Sequence, residues 1–504
     1  MSQFDELFIL INSMSQAEKR YFKIFSKRHV VGKMNNYVVL FDIIDKLDKY
    51  DEKRLLANLK KKQLSHNLSM CKTQLYNLIL RSMRNYYDEK SLNRILTNSL
   101  WDVNFLYEKG LINKCNKILK KIKSLAQSYE KPFYLLEALK FERKIERDLR
   151  KKTTKSEIDS KNKIEQKVIS HLSLDQKLRN LNDIVYRIIK ADFHYQTKNK
   201  KQLLSEVETQ VSTIQQEECK TFRSQLLYNS IKSNLCQLKS DVEGAFKHLE
   251  NQFIIYEANK QLIEGSESTY IKFLNNYLNV CAINGKFDKF PILLETIHNT
   301  KIPSKDEEVI KFANTYYLEQ LYYLNTNQFE KAKKMIPILE EGIKKHSRNI
   351  NNSRKQTISY NIVILYFIYE EYGNATTWIS NVIQMSKDSR KDLQNAIKVL
   401  ELICQYELEN FELLYYLLRN TKRFFDEKNP DFALGYLILD LFKKSLKKQL
   451  SKEDYKICLS NIYNSELIQP EFAPYEEIEI WLKSKISRSK MLDLASGTVK
   501  ELER

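Results

Sequence analysis

The side chains best suited to catalysis or metal binding are scattered along this chain in spacings that fit neither task. The seven histidines stand at 29, 66, 171, 194, 248, 298 and 346, and none has an acidic or cysteine neighbour at metal-ligand spacing. Asp192-Phe-His194 is the nearest approach, but residues two apart on a helix point to different sides. The seven cysteines, Cys71, Cys115, Cys219, Cys236, Cys281, Cys404 and Cys458, contain no CxxC pair. Most sit among apolar residues at helical spacing, which reads as buried thiols of a reducing compartment. A Cys–His dyad assembled through space is left open by this reading. There is no GxGxxG, no Walker loop and no HExxH. With nine isolated glycines, consecutive residues cannot build a backbone cradle for phosphate. The expectation is a protein that is not an enzyme and holds no cofactor or metal.

Charge points towards binding instead. The net charge of +19 and a pI near 9.2 suit nucleic acid or acidic partners. The lysines, however, run the whole length of the chain, so a solvated lysine-rich exterior accounts for the charge as well. Residues 1–100 carry 18 Lys/Arg against 10 Asp/Glu. Lys60, Lys61 and Lys62 precede a helical segment bearing Arg81 and Arg84. A helix–turn–helix reading puts residues 69–87 in a major groove with the lysines on phosphates. The link from Gln63 to Leu68 is longer than the about three to four residues usual there. A charged helical cap explains the same residues.

The elements that must position these side chains are helices. Apolar residues recur at three- and four-residue spacing almost everywhere, as at Leu227, Ile231 and Leu235. Nine Gly and seven Pro in 504 residues fall far below the usual shares of about 7% and 5%. That scarcity argues against sheets and their tight turns. Ser15-Gln-Ala-Glu18, Thr154-Lys-Ser-Glu157 and Ser304-Lys-Asp-Glu307 fit the capping box, in which a hydroxyl and a carboxylate satisfy the free donors of a first helical turn. Residues 1–90 read as five helices at 3–13, 15–28, 35–49, 52–63 and 69–87. The last has Leu68, Cys71, Leu75, Leu78, Ile79 and Met83 on one face and Lys72, Gln74, Asn77, Arg81 and Arg84 on the other.

A repeated form lies beyond. An aromatic-rich helix leads to a short polar turn, then to an aromatic or aliphatic residue two places on, then to a second apolar helix. It is seen around Gly285 with Phe287, around Asn327 with Phe329 and Ala332, and in Tyr366 to Gly373 and Ala375. Turns near 199, 240, 285, 327, 373 and 409 lie 41, 45, 42, 46 and 36 residues apart, with a further turn at Gly110. The 89-residue gap between 110 and 199 has room for two units, with a middle turn in Lys151–Ser156.

These residues resemble the tetratricopeptide repeat, in a divergent, bacterial-type form with elongated helices. The resemblance covers roughly residues 92–425, lacks the Trp-Leu-Gly signature, and has a period of about 42 rather than the usual 34. It implies an all-α fold: an α-solenoid of stacked antiparallel helix hairpins, each burying the apolar side of the next. It also implies a concave groove lined by first helices. If Ser240 and Gly285 mark equivalent turns, that groove presents Ser230, Asn234 and Gln237, and Lys272, Asn275 and Asn279. Amides four apart share a face. The set is similar to the Lys/Asn clamp with which some tetratricopeptide domains hold a peptide C-terminus, although an ordinary wet face of an Asn-rich protein looks the same.

The expected organisation is an N-terminal helical cap over 1–90, repeats over 91–427 and a C-terminal cap over 428–504. Asp5 and Glu6 precede Leu7–Ile11 where a secretory signal carries positive charge, and the longest apolar runs are far short of the ~18 residues of a membrane span. A cytoplasmic location without a membrane partner is expected. The preferred reading is a scaffold or adaptor that holds a protein or peptide in its groove. The alternative is a nucleic-acid-associated regulator with basic N-terminal helices and a repeat sensor region.

Overall fold

The computed structural model describes residues 3–27, 36–47, 52–61, 68–88, 91–149, 154–190, 197–263, 267–300, 308–309, 311–347, 349–385, 391–465 and 474–497. Among them the chain is helical throughout, with no strand. Its Cα packing divides it into two compact units, Met1–Leu178 with Cys219–Ser224, and Arg179–Glu218 with Gln225–Arg504.

The first unit begins with α1 (Gln3–Ser13), α2 (Gln16–Lys27), α3 (Asn36–Asp45), α4 (Glu52–Lys61) and α5 (Leu68–Tyr86). These are the five helices expected over residues 1–90. The box at the start of α2 forms: the Ser15 amide donates to Glu18 Oε2 at 2.6 Å and the Glu18 amide to Ser15 Oγ at 3.3 Å. Leu7, Ile11, Phe22, Phe41, Ile44, Leu55, Leu59, Leu75 and Ile79 make one core, with the Phe22 and Phe41 rings 4.5 Å apart. Then come α6 (Leu92–Glu108), α7 (Ile112–Ser128) and α8 (Pro132–Asp148), packed in sequence around Leu96, Val103, Cys115, Leu119, Ile122, Ala138 and Ile145. Helix α9 (Lys155–Lys190) follows, and the division between units falls within it. Residues 219–224 belong to the first unit because the Phe222 amide donates to both Glu130 oxygens, at 3.0 and 2.9 Å, and the Thr221 hydroxyl to Asp175 at 3.0 Å.

The second unit contains α10 (Thr197–Ser212), α11 (Phe222–Leu238) from Gln225 onward, α12 (Val242–Ala258), α13 (Glu267–Ile283) and α14 (Phe290–Asn299). A π-helical turn, Phe312–Tyr316, leads into α15 (Tyr317–Asn325), then α16 (Phe329–Lys334) and α17 (Ile336–Lys345). Next are α18 (Asn352–Ile368), α19 (Tyr372–Gln384), α20 (Lys391–Glu407), α21 (Phe411–Lys428), α22 (Ala433–Ser445), α23 (Lys452–Tyr463), α24 (Tyr475–Ser487) and α25 (Met491–Ala495). From α18 to α25 each helix packs on its chain neighbours. Helix α18 is buried on every side from Gln356 to Leu365, because α15, α16, α17, α19, α20 and α25 all touch it.

Among the described residues one turn recurs seven times. A helix ends in a residue at positive φ: Gly110, Glu130, Ser240, Gly285, Asn327, Glu370 or Glu409. The next amide reaches back five residues to a carbonyl. Examples are Leu111 to Leu106 at 2.9 Å, Lys286 to Cys281 at 2.9 Å, and Glu371 to Tyr366 at 2.8 Å. This is the Schellman closure, which satisfies carbonyls left open by the helix end. Two expected turns move. Asn199 lies inside α10, and Gly373 lies inside α19, the left-handed residue there being Glu370. Residues 151–153 are outside the described residues. Thr154 caps α9 with Glu157, amide to oxygen at 2.8 and 3.3 Å, and α9 then runs 36 residues without a turn. The turn at Glu130 was not expected. The third capping box, Ser304–Glu307, lies outside the described residues.

Candidate interaction surfaces

Cys236 is half-buried, and burial together with a hydrogen bond to Asp241 raises its thiol pKa. The Asp241 carboxylate also accepts from the Gly244 amide at 2.9 Å as the N-cap of α12. His248 Nδ1 sits 3.0 Å from Asn229 Oδ1, and burial, then Lys232 and Lys247, push its pKa down. Burial lifts Cys281 and Cys458 to about 12 and raises Cys404 as well. The Cys236 and His248 shifts both disfavour the charged forms, thiolate and imidazolium. Among the described residues no group of three His, Cys, Asp or Glu is placed to hold a metal ion. Asp192 and His194 lie outside the described residues.

The six groove candidates separate into two environments. On α13, Lys272 and Asn279 are exposed and share a face with Asn276 and Ile283. Asn275 does not stand beside them. It is 6% exposed, its Nδ2 donates to the Ile271 carbonyl at 3.0 Å, and its Oδ1 accepts from the Thr315 hydroxyl at 3.1 Å. The adjacent helix α15, entered through the π-turn that carries Thr315, covers that side of α13. On α11, Ser230 is half-buried and donates to Asn182 at 3.1 Å, Asn234 is half-buried, and Gln237 is exposed, with its Nε2 3.3 Å from Ser233 Oγ.

In the N-terminal helices, Lys60 and Lys61 end α4, but their side chains, like all of Lys62, lie outside the described residues. Arg81 and Arg84 are exposed on α5. Lys72, expected beside them, is instead buried at 4% exposure.

The barest surface was missed in the sequence. Trp101 is 68% and Phe105 59% exposed, four residues apart on α6, and Phe133 at the start of α8 is 71% exposed. Opposite them, Leu96 and Val103 face the core, with Leu92, Leu100 and Leu106 packed against it. The helix therefore has two apolar stripes and buries only one. That doubling was visible in the spacing of Trp101 and Phe105, which extends the row of Asn93 and Thr97 rather than the leucine row. The Thr97 hydroxyl lies 2.9 Å from the Tyr134 hydroxyl, which donates to the Asn93 carbonyl at 3.0 Å, so α8 borders this row. The Lys109 ammonium lies 5.6 Å from the centre of the Phe105 ring, while on α8 Lys140 pairs with Glu137 at 3.4 Å and the Lys144 ammonium lies 4.3 Å from the centre of the Tyr107 ring. A second bare group, Phe411, Tyr415 and Tyr416, lies on α21.

No described helix is long and apolar enough to cross a membrane. No family model, curated protein or solved structure matches the chain.

Proposed function

We propose that the chain is a non-enzymatic cytoplasmic scaffold, a divergent tetratricopeptide-like solenoid that holds a segment of another protein against its first helices. The seven equal turns support this reading. Counting from each left-handed residue, the second position is Ile112, Pro132, Val242, Phe287, Phe329, Tyr372 or Phe411. The fifth is Cys115, Leu135, Ala245, Phe290, Ala332, Ala375 or Leu414, and every one of these is buried. Gly373 is thus out of register, and Glu370 restores the match of Tyr372 and Ala375. In the second unit the left-handed residues at 240, 285, 327, 370 and 409 lie 45, 42, 43 and 39 apart, a spacing close to that of elongated helical repeats. First helices also touch first helices: α6 with α8, and α13 with α15, α15 with α18, α18 with α20, α20 with α22.

The bare aromatic row of α6 carries the functional reading. A Trp and a Phe left this open keep apolar surface in water at roughly 25 cal/mol per Å², and aromatic residues of this kind anchor protein interfaces. Lys109, whose ammonium lies 5.6 Å from the centre of the Phe105 ring, favours a segment with carboxylates. Lys272 and Asn279 offer a donor set for a peptide backbone on α13. Affinity capture from the native cell, with partners identified by mass spectrometry, tests the proposal. Trp101→Ala with Phe105→Ala is expected to cost tenfold or more in partner affinity, with helicity unchanged, since a central aromatic anchor contributes about 2 kcal/mol or more. Full recovery of the same partner by that variant overturns it.

A further inference from the structure

The face of α5 has chemistry that the scaffold reading does not use. Its 19 residues, LSMCKTQLYNLILRSMRNY, include no Asp or Glu. One side is committed to the core through Leu75, Ile79 and Ser82, where the helix packs on α1, α2 and α3. The other side is open. Thr73, Asn77, Arg81 and Arg84 are spaced four, four and three residues apart, so they form one row, and all are exposed. Met70 extends the row at its N-terminal end and is 53% exposed. The Thr73 hydroxyl turns back to the Ser69 carbonyl at 3.1 Å. Asn77, Arg81 and Arg84 have no side-chain hydrogen bond or ion pair among the described residues.

We propose that α5 is a groove-reading helix that docks its Thr73–Arg84 row in the major groove of double-stranded DNA. The charge is complementary: the row has two guanidinium groups with no ion pair among the described residues and no carboxylate, in a segment with 18 Lys/Arg against 10 Asp/Glu over residues 1–100. The composition distinguishes DNA from an acidic protein. A carboxylate surface needs cations alone. This row alternates a guanidinium fork, which matches the two acceptors of guanine, with an amide, which matches the donor and acceptor of adenine, and with Met70, which fits a thymine methyl. The dimensions agree as well. A helix of this length spans about 28 Å, and the groove of B-DNA, about 12 Å wide, admits one helix. The major groove of duplex RNA is too deep and narrow to be read in this way.

The test uses the full-length chain and fluorescence anisotropy with a mixed-sequence DNA duplex, the single strand of equal length and the RNA duplex. Duplex DNA is expected to bind most tightly, with affinity falling steeply as salt rises, because neutralised phosphates release counterions. Arg81→Ala with Arg84→Ala is expected to weaken duplex binding about tenfold or more. Removing equal charge from exposed positions elsewhere, Lys447→Ala with Lys452→Ala, is expected to change it less than about twofold. Circular dichroism of both variants should match the parent, since both pairs are exposed. No duplex binding at low salt, equal loss in the two variants, preference for single strand or RNA, or Arg-dependent capture of an acidic protein in place of DNA would each overturn the proposal. Protein capture through Trp101 and Phe105 is scored separately and is expected to survive Arg81→Ala with Arg84→Ala, so the two readings fail independently.

Discussion

Glu409 closes the last of seven equal turns at φ 57°, and it does so with a β-carbon where the left-handed region disfavours one. That conformation costs a non-glycine residue about 1–2 kcal/mol, partly offset by the greater chain entropy that glycine loses on folding. Glu409→Gly is therefore expected to raise stability by up to about 1 kcal/mol, and Gly285→Ala, at φ 65°, to lower it by a similar amount. No atom lies within 4 Å of the position a β-carbon would take at Gly285, so the second loss is conformational and not steric. Urea midpoints at constant slope measure both, and a neutral Gly285→Ala would show that the turn relaxes. Residue type alone misplaced one of these turns. Gly373 attracts the assignment because glycine is the usual left-handed cap, yet the Glu371-to-Tyr366 bond fixes Glu370 in that role. Asn275 shows a similar limit. The four-residue rule sets it on the same side as Asn279, but how far a neighbouring helix covers that side depends on packing that spacing does not encode.

Among the helices, starts were more legible than surroundings. Ser15 and Thr154 each form the reciprocal cap that their spacing to Glu18 and Glu157 announces. At α23 the same device is built from Ser451 and Asp454, and a carboxylate one carbon shorter than the usual Glu hid it from a Glu/Gln search. There the Ser451 amide, then its hydroxyl, hold the Asp454 pKa at about 2. A folded-state pKa below the ordinary value of about 3.9 means that the charge stabilises the fold above about pH 4, and that this stabilisation fades as pH falls towards 2. Asp454→Asn is expected to lower the melting temperature at pH 6, with the gap to the parent closing between about pH 4 and 2. A gap independent of pH would assign the effect to packing rather than to the charge. Burial on two faces was less visible. The run Ile362–Tyr369 reads as one short apolar stretch, whereas α18 is enclosed by six other helices. Which helices meet it depends on chain-distant pairs, and only the three-dimensional fold supplies those.

For the whole chain, the decisive question is how far one disturbance spreads. Among the described residues, separate buried clusters include one over Leu7–Ile79, one over Leu96–Ile145, a small one of Ala126, Leu135 and Leu139, and one over Val309–Met491. Helices touch mainly their chain neighbours, so stability is close to a sum of local terms, and regions open with different free energies. Leu119 is wholly buried in the Leu96–Ile145 cluster. Leu119→Ala costs about 2–5 kcal/mol of local packing. Amide hydrogen exchange is then expected to accelerate on the order of a hundredfold in α6, α7 and α8, because each 1.4 kcal/mol of opening free energy is tenfold in rate, while α18, α19 and α20 keep their protection. Equal acceleration in both regions would mean that the chain opens as one cooperative body. The local outcome has a consequence for both binding readings. The α6 aromatic row would lose its shape when its own cluster loosens, whereas α5 is held by a different cluster and would keep its row intact. In the same variant, protein capture should then fall while duplex DNA binding persists.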